Sequence, residues 1–465
     1  MKKMSALKTI FLLLLTVVLT YSCNNDDDDV VIIEDPLNIV ETAIATSDLS
    51  SLVAAVQAAD GDLVSVLSGS GPYTVLAPTN AAFQSFLTAK GFASLGDVPT
   101  DVLAQILLNH VIAGKVMSTD LTSAGAGYTK TVATGAGNQH LDLYFNTSSG
   151  VRFNNVASVT AADVEASNGV VHIIDAVIDL PTIVTHAVAN PDLSSLVGAL
   201  TSGGNTAFTD LLSTPGDFTV FAPDNAAFTA FTNPDGNELS DILSNHVIAG
   251  ATALSSGLAN GYVNTAATFN GTDNNLSLYV NIDNGVKLNG TSEVVKADII
   301  AINGVIHVVN AVIDLPTIVD FALADPTFET LVAALTRGDL TFDYVTTLST
   351  PVGTSPAPFT VFAPTNTAFG DLLAELNVGS LADIDEPTLK ATLDHHAVAG
   401  ANVRSTSLMD NMTVSTLGGD ITANVTGGAT LTDMNERISN IIAVDVQAVN
   451  GVIHAIDKVI LPPLE

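Results

Sequence analysis

The feature that most constrains this chain is a phrase that occurs three times. "SNGVVHIIDAVIDLPTIV" occupies residues 167–184, returns as "INGVIHVVNAVIDLPTIV" at 302–319, and recurs in shortened form as "VNGVIHAIDKVILPP" at 449–463. The copies lie about 140 residues apart, whereas solenoid repeats span only about 20–50 residues. Each copy is therefore predicted to close a domain with its own core.

Two further phrases recur ahead of it in a fixed order. The first is "YTVLAPTNAAF" (73–83), "FTVFAPDNAAF" (218–228) and "FTVFAPTNTAF" (359–369), and the second is "LNHVIAG" (108–114), "SNHVIAG" (244–250) and "DHHAVAG" (394–400). The first phrase predicts a short strand that a proline stops, followed by a helix capped by Thr79, Asp224 or Thr365. Alternating residues with Gly/Asn turns then predict a meander of antiparallel strands. Each unit is predicted to be α+β.

The junctions between units are sharp. "AVIDLPTIV" is identical at 176–184 and 311–319, and no Gly/Ser linker intervenes. We expect the closing strand to run into Pro181 or Pro316, each the first residue of the next helix. The predicted domains are 36–180, 181–315 and 316–465. Two prolines in "VILPPLE" disfavour another helix there, so we expect three units to be the complete set.

These three phrases together resemble the fasciclin domain family, over about residues 36–465. The resemblance implies three tandem domains, each a twisted β-sandwich or wedge with helices packed against it. It also implies adhesion outside the cell, to matrix proteins, to carbohydrate or to other copies. Family members from animals carry a Tyr-His pair in the second phrase that is implicated in receptor contact. Here that pair is replaced by Asn109-His110, Asn245-His246 and His395-His396, so integrin-type recognition is not expected. The second unit also has fewer residues between the first two phrases, which predicts a shortened helix or loop.

The first residues predict export. Three lysines precede the apolar run "IFLLLLTVVLT" (10–20), and the only cysteine, Cys23, follows it. We predict a signal peptide over 1–22, lipidation at Cys23 and an acidic tether over 23–35, as in a bacterial outer-membrane lipoprotein displayed at the surface. A secretory signal with an incidental cysteine, leaving a periplasmic or secreted protein, is the alternative.

The net charge of the chain limits the classes of partner that it can bind. The chain has 48 acidic and 14 basic residues and a net charge of −34, which opposes nucleic-acid binding. Membrane contact is expected through a lipid anchor only. No nucleophile elbow, phosphate loop, EF-hand loop or cysteine pair occurs, so we predict no catalytic residue, no cofactor and no metal.

Recurrent histidines are the candidates for chemistry. Alternation places His172 on one strand face with Val170, Ile174, Ala176 and Ile178. The same strand position is occupied in each unit, with an aspartate nine residues earlier: His172 and Asp163, His307 and Asp298, His454 and Asp445. Helical spacing puts the histidine of the second phrase on a leucine stripe in each unit: Leu103, Leu107 and His110; Leu239, Leu243 and His246; Leu389, Leu393 and His396. We interpret the strand pairs as structural, and the second-phrase pairs as structural or as ligand contacts. Zinc binding or a base relay by a His, His, Asp set is the alternative.

Two functions follow from these patterns. The favoured one is a surface-anchored adhesion protein that presents three modules to extracellular protein or carbohydrate ligands or to other copies. The alternative is a periplasmic or surface hydrolase or metal-binding protein that uses a His/Asp site in each domain. A solvent-reachable pocket around the histidines would favour the second function, and buried histidines the first.

Overall fold

The computed structural model describes residues 36–204 and 206–463. The predicted signal peptide (1–22), tether (23–35) and lipidation at Cys23 lie outside the described residues. Within them, no single helix is long and apolar enough to cross a membrane. One bent pair, Ile39–Ala45 with Ser47–Ala58, meets those criteria only jointly and turns by 109° between its halves.

Short helices open each of the three units. In the first unit they are Ile39–Ala45, Ser50–Ala58, Leu63–Ser68, Asn80–Lys90, Thr100–Leu108 and Ser118–Ala124. In the second they are Ile183–Ala189, Ser194–Leu200, Ala207–Leu211, Asn225–Ala230 and Leu239–Asn245. In the third they are Ile318–Ala324, Glu329–Leu335, Tyr344–Leu348, Asn366–Glu375 and Glu386–Asp394.

Seven strands follow the same plan in each unit. The first unit has β1 Tyr73–Pro78, β2 Val111–Ala113, β3 Ala126–Thr134, β4 His140–Asn146, β5 Arg152–Phe153, β6 Ala157–Ala166 and β7 Gly169–Ile174. The second has β8 Phe218–Pro223, β9 Val247–Ala249, β10 Gly261–Thr268, β11 Asn275–Asn281, β12 Lys287–Leu288, β13 Ser292–Ala301 and β14 Gly304–Val309. The third has β15 Phe359–Pro364, β16 Ala397–Ala399, β17 Met412–Ser415, β18 Asp420–Asn424, β19 Thr430–Thr432, β20 Ile438–Ala448 and β21 Gly451–Ile456.

The first and last strands of a unit lie side by side. β1 pairs in parallel with β7, β8 with β14, and β15 with β21, while the other ladders are antiparallel. In the first unit the strands close into a barrel, and in the other two they form a seven-stranded sheet. The predicted α+β class, with helices first and a meander last, is confirmed.

The central parallel pair separates two cores. Val75 and Ala77 of β1 face the helices, whereas Leu76 faces a smaller core between the strands. This is the alternation that the sequence pattern predicts. The closing strand divides in the same way, because Val171 joins the helical core and Ile174 the inner one.

An asparagine explains the start of the repeated phrase. Asn168 Oδ1 accepts a hydrogen bond from the Ile39 N–H at 2.9 Å, and its Nδ2 donates to the carbonyls of Leu67 (2.8 Å) and Gly69 (2.7 Å). The same three bonds recur around Asn303 and Asn450. One buried side chain thus fastens the opening helix to the closing hairpin, although more than 100 residues separate them.

The glycine after it is required by a close approach. A Cβ at Gly169 would lie 2.0 Å from the Tyr73 carbonyl oxygen, and one at Gly304 or Gly451 would lie 2.2 Å from the equivalent oxygen. The backbone φ at Gly304 is +154°, in the region that favours glycine. The central parallel pair therefore demands glycine here.

Most local predictions at helix and strand ends are confirmed. β1, β8 and β15 end at their prolines, and Thr79, Asp224 and Thr365 cap the following helices. The prediction for Pro181 and Pro316 is wrong. The closing strands end at Ile174 and Val309, and the next helices begin at Ile183 and Ile318. Thr182 and Thr317 take the N-cap positions, and their side chains accept the bonds that define those helix starts.

The second unit is shortened as predicted. Its helix Asn225–Ala230 has 6 residues against 11 and 10 in the other units. Leu239, which helical spacing places on the leucine stripe, is 39% exposed and does not join the core. The truncation makes Leu239 the first residue of its helix, away from the core that Leu243 enters.

The junction between the first and second units is a packed interface. Tyr128 stacks edge-on against Tyr144 with ring centroids 5.1 Å apart, and His186 of the next unit lies 5.6 Å from Tyr128. Asp142 accepts a hydrogen bond from the Ile300 N–H at 2.7 Å and pairs with Lys130 at 2.8 Å. Burial raises the pKa of Asp142, against the lowering effect of Lys130.

The second junction repeats this arrangement with other residues. Tyr262 and Tyr279 lie 5.0 Å apart, and Phe321 stands where His186 stood, 5.4 Å from Tyr262. Ser277 replaces Asp142 and accepts the Gln447 N–H at 3.0 Å.

The two outer faces, one on the third unit and one on the first, lack these aromatic rings. By strand register, Thr413 and Thr422 occupy the tyrosine positions in the third unit. By position in the opening helix, Thr42 matches His186 in the first unit. None of these three threonines is buried, so within residues 36–204 and 206–463 neither outer face repeats the aromatic contact seen at the two junctions.

We predict that Gly304→Ala destabilises the second unit by about 2–4 kcal/mol, because the added Cβ collides with a strand carbonyl. Gly198→Ala is the matched control, since the residue is helical and a methyl group added there would meet no atom within 4 Å. The control should be neutral or stabilise by up to about 1 kcal/mol. Urea unfolding of the two variants tests this, and equal midpoints would contradict it.

We predict that His186→Phe removes a pH dependence from the first junction. Burial lowers the pKa of His186 to about 4 from its ordinary 6.5, so between these values the unfolded state binds more protons and stability falls as the pH falls. The advantage of the variant over the wild type should grow by about 1.4 kcal/mol per pH unit in that window. Asp142 is present in both proteins, so its titration contributes to both profiles. Urea midpoints at pH 8, 6.5 and 5 measure it, and parallel pH profiles would refute it.

Candidate functional site

Each strand histidine is held by the backbone on both ring nitrogens. His172 Nε2 lies 2.9 Å from the Val116 carbonyl, and its Nδ1 accepts the Asp163 N–H at 3.2 Å. His307 and His454 make the equivalent bonds, at 2.9 Å and 3.3 Å. All three side chains are buried. These partners require the neutral tautomer with the proton on Nε2.

The paired aspartates act through their backbone. Asp163, Asp298 and Asp445 have φ of 59–60°, at a bulge in β6, β13 or β20 that turns the N–H toward the histidine. The carboxylate points elsewhere: Asp163 accepts the Ser118 N–H at 2.8 Å and its hydroxyl at 2.5 Å. Asp163 Oδ1 and His172 Nδ1 are 3.9 Å apart, which is no hydrogen bond. The pair is not arranged as a base relay.

The second-phrase histidines follow a different scheme. His110 Nδ1 donates to the Ile106 carbonyl at 2.7 Å, one helical turn back, and its Nε2 accepts the Ile178 N–H at 2.9 Å. His246 and His396 repeat both bonds. Their neutral tautomer therefore carries the proton on Nδ1. Each ring ties the end of a helix to the segment that follows the closing strand of its unit.

The residues before them are also buried. Asn109 donates to the Asp179 carbonyl at 3.1 Å and accepts the Thr131 hydroxyl at 3.2 Å, and Asn245 is held in the same way. His395 lies under the turn at Gly418, where a Cβ would be 2.2 Å from its Nδ1. None of the six side chains proposed as ligand contacts reaches the surface, since each is at most 3% exposed.

Burial favours the neutral form of five of these histidine rings. It lowers the pKa of His110, His246 and His396 to about 4, against the raising effect of their backbone bonds. It also lowers the pKa of His307 and His454. A ring whose two nitrogens are both engaged by backbone has no lone pair left for a metal or a substrate.

The His, His, Asp set does not converge. Within residues 36–204 and 206–463, no group of three His, Cys, Asp or Glu side chains is placed to hold a metal ion. His110 and His172 bind different segments, near Ile178 and Val116 respectively.

Two residues of this hydrogen-bond network were not predicted from the sequence. Thr74 Oγ1 accepts the Val116 N–H at 2.8 Å and donates to the Gly114 carbonyl, so it positions the loop that His172 contacts. Ser118 is the second, through its bonds to Asp163. The signal was available, because a threonine precedes the valine of every first phrase and a serine lies eight or nine residues after every second-phrase histidine.

The chain matches a known protein family. The model of the fasciclin domain matches residues 47–181, 191–316 and 326–462. The chain is 26% identical to human periostin over 439 residues, which is 90% of this chain and 46% of periostin. It is 28% identical to pig transforming growth factor-beta-induced protein ig-h3 over 449 residues, which is 93% of this chain and 57% of that protein. The chain thus spans about half the length of these relatives.

A solved structure is also similar. It is a FAS1 domain pair from the insect cell adhesion molecule fasciclin I, with 20% sequence identity and a TM-score of 0.37. The alignment covers 57% of this chain and 96% of that one.

We predict opposite tautomers for the two histidine classes. In ¹⁵N-histidine NMR spectra, His172, His307 and His454 should carry the proton on Nε2, and His110, His246 and His396 on Nδ1. The latter three should not titrate between pH 8 and 5.5, because burial holds their pKa near 4. Added zinc should leave these signals unchanged. A zinc-dependent shift of any of them would revive the metal-site interpretation.

Proposed function

The chain belongs to the fasciclin domain family, and from that premise we propose that it is an exported, lipid-anchored adhesion protein that presents three fasciclin modules to extracellular protein or carbohydrate ligands. Fasciclin domains occur in cell adhesion proteins, of which fasciclin I is one. Anchoring at Cys23, display at a bacterial outer membrane and the absence of catalysis are parts of the proposal.

The adhesion proposal rests mainly on the equivalence of the two junctions between units. Both use a tyrosine pair from one unit, an aromatic ring from the next opening helix and a backbone N–H donated across the interface. Equivalent contacts favour the same rotation between successive units and a semi-rigid row. Such a row presents three similar surfaces at fixed spacing, which multiplies weak contacts through effective concentration.

The geometry of the histidines also favours binding over hydrolysis. A general base needs a free nitrogen within reach of its substrate. In all six histidines described above, both ring nitrogens bind backbone groups. The surfaces between and around the units are then the regions available for partners.

We predict that Gly/Ser spacers inserted after Asp179 and after Asp314 leave each unit folded but reduce adhesion of protein-coated beads on the order of 10-fold, because the spacing of the three modules is lost. An equal insertion between Gly427 and Gly428, in an exposed turn, is the control. Solution scattering should show a single narrow range of interdomain angles in the unmodified protein. A broad ensemble there, or full adhesion by the spacer variant, would contradict the rigid row.

We predict that Cys23→Ser releases the protein from the membrane fraction, because two or more acyl chains provide stable anchoring at about 0.8 kcal/mol per buried CH₂. The purified variant should still coat beads and adhere. Membrane fractionation of expressing cells measures the first effect. If the variant stays with membranes, the lipid anchor is wrong while the adhesion proposal stands.

A further inference from the structure

An open cleft lies where the first and second units meet. It has a volume of about 590 Å³, and its lining includes Tyr144, Asn146, Ser148, Arg152 and Asn155 of the first unit and Pro191 of the second. The six histidines discussed above are not among its lining residues.

The cleft is organised by its own hydrogen bonds. Asn146 Nδ2 donates to Asn155 Oδ1 at 2.5 Å, and Ser148 donates to Asn146 Oδ1 at 3.3 Å. Asn155 Nδ2 donates across the junction to the Ala189 carbonyl at 2.7 Å, which joins both walls. The amide and hydroxyl groups are therefore fixed before any ligand arrives, which reduces the entropy cost of binding.

Arg152 is unusual for so acidic a chain. In the part of the chain that the structure describes, Arg337, Arg404 and Arg437 each form an ion pair, whereas Arg152 forms none. Its Nη2 donates to the Asn155 carbonyl at 2.7 Å, and no described group bonds to its Nη1. A guanidinium donor thus lines the cleft without a carboxylate partner.

At the equivalent positions of the second unit, the charged side chains interact with other residues of that unit. Lys287 replaces Arg152 and pairs with Glu293 at 3.4 Å. Asp283 replaces Ser148 and accepts a bond from Asn260 at 2.8 Å. Among the described residues of these two units, Arg152 thus lacks the ion pair that Lys287 forms at the equivalent position.

We propose that this cleft binds an uncharged oligosaccharide, an inference that rests on the proposed function and names one ligand class for it. Asparagine, serine and arginine side chains supply the donors and acceptors that sugar hydroxyls and ring oxygens need. A cationic ligand is disfavoured by the guanidinium of Arg152, and an anionic ligand by two nearby or long-range negative charges. Burial raises the pKa of Tyr144 and the nearby charge of Asp192 adds to it, so a carboxylate stands close to the lining. The net charge of −34 also repels anions.

The test uses the full chain on an array of neutral di- to tetrasaccharides built from glucose, galactose, mannose and N-acetylglucosamine, followed by calorimetry with the best binder. We expect Arg152→Gln to weaken binding at least 10-fold. Ser158→Glu should do the same. Ser158 lies opposite Arg152 in the strand register, as Glu293 lies opposite Lys287, so the variant gives Arg152 the acidic partner found in the second unit. Lys287→Gln is the matched control and should bind like the wild type.

Each outcome decides a different point. Loss in both cleft variants, with unchanged melting temperatures and little salt dependence, supports the proposal. Binding that is equal in wild type and Arg152→Gln overturns it, as does an array with no neutral binder. Binding of uronate-containing sugars alone, weakened by salt, overturns it in favour of an anion site. Bead adhesion that persists in Arg152→Gln without any sugar binding removes the cleft proposal and leaves the adhesion function intact.

Discussion

The fold of each unit depends on one buried asparagine. From the turn of the closing hairpin, Asn168, Asn303 and Asn450 each satisfy the first N–H of an opening helix and two carbonyls at the end of the third helix of the unit. Helices this short are not stable alone, so their position has to be imposed by tertiary contacts. Losing one such side chain would leave three buried backbone groups unpaired, at about 1–3 kcal/mol each. This residue therefore joins the first helix of the unit to its closing hairpin.

That dependence explains why the phrase recurs as a block. The asparagine fixes the helix, the following glycine admits the neighbouring strand, and the histidine ties the same strand to a loop and to a bulge. Three nearby positions thus carry three separate constraints. Apolar residues between them satisfy the two cores and tolerate exchange among Val, Ile and Ala.

Sequence reasoning succeeded where a local signal determines local structure. Prolines ending strands, threonine caps and the fasciclin resemblance all led to the observed elements. It failed at Pro181, because the choice between Pro and Thr as the start of a helix depends on side-chain bonds that periodicity does not reveal. It failed at Leu239 because this residue is the first of a shortened helix and lies outside the core that Leu243 enters. The cleft at Arg152 joins two units, so no single stretch of sequence could have indicated it.

The threonines on the outer faces have a consequence for assembly. An interface that joins the back of one unit to the front of the next is heterologous, and copies that all carried both halves would associate into an open fibre. Here the tyrosine pair is absent from the third unit and its aromatic counterpart from the first. The contact that joins neighbouring units within the chain is therefore not offered by these two faces in the described residues, so the number of units that it joins is set by the sequence of one chain.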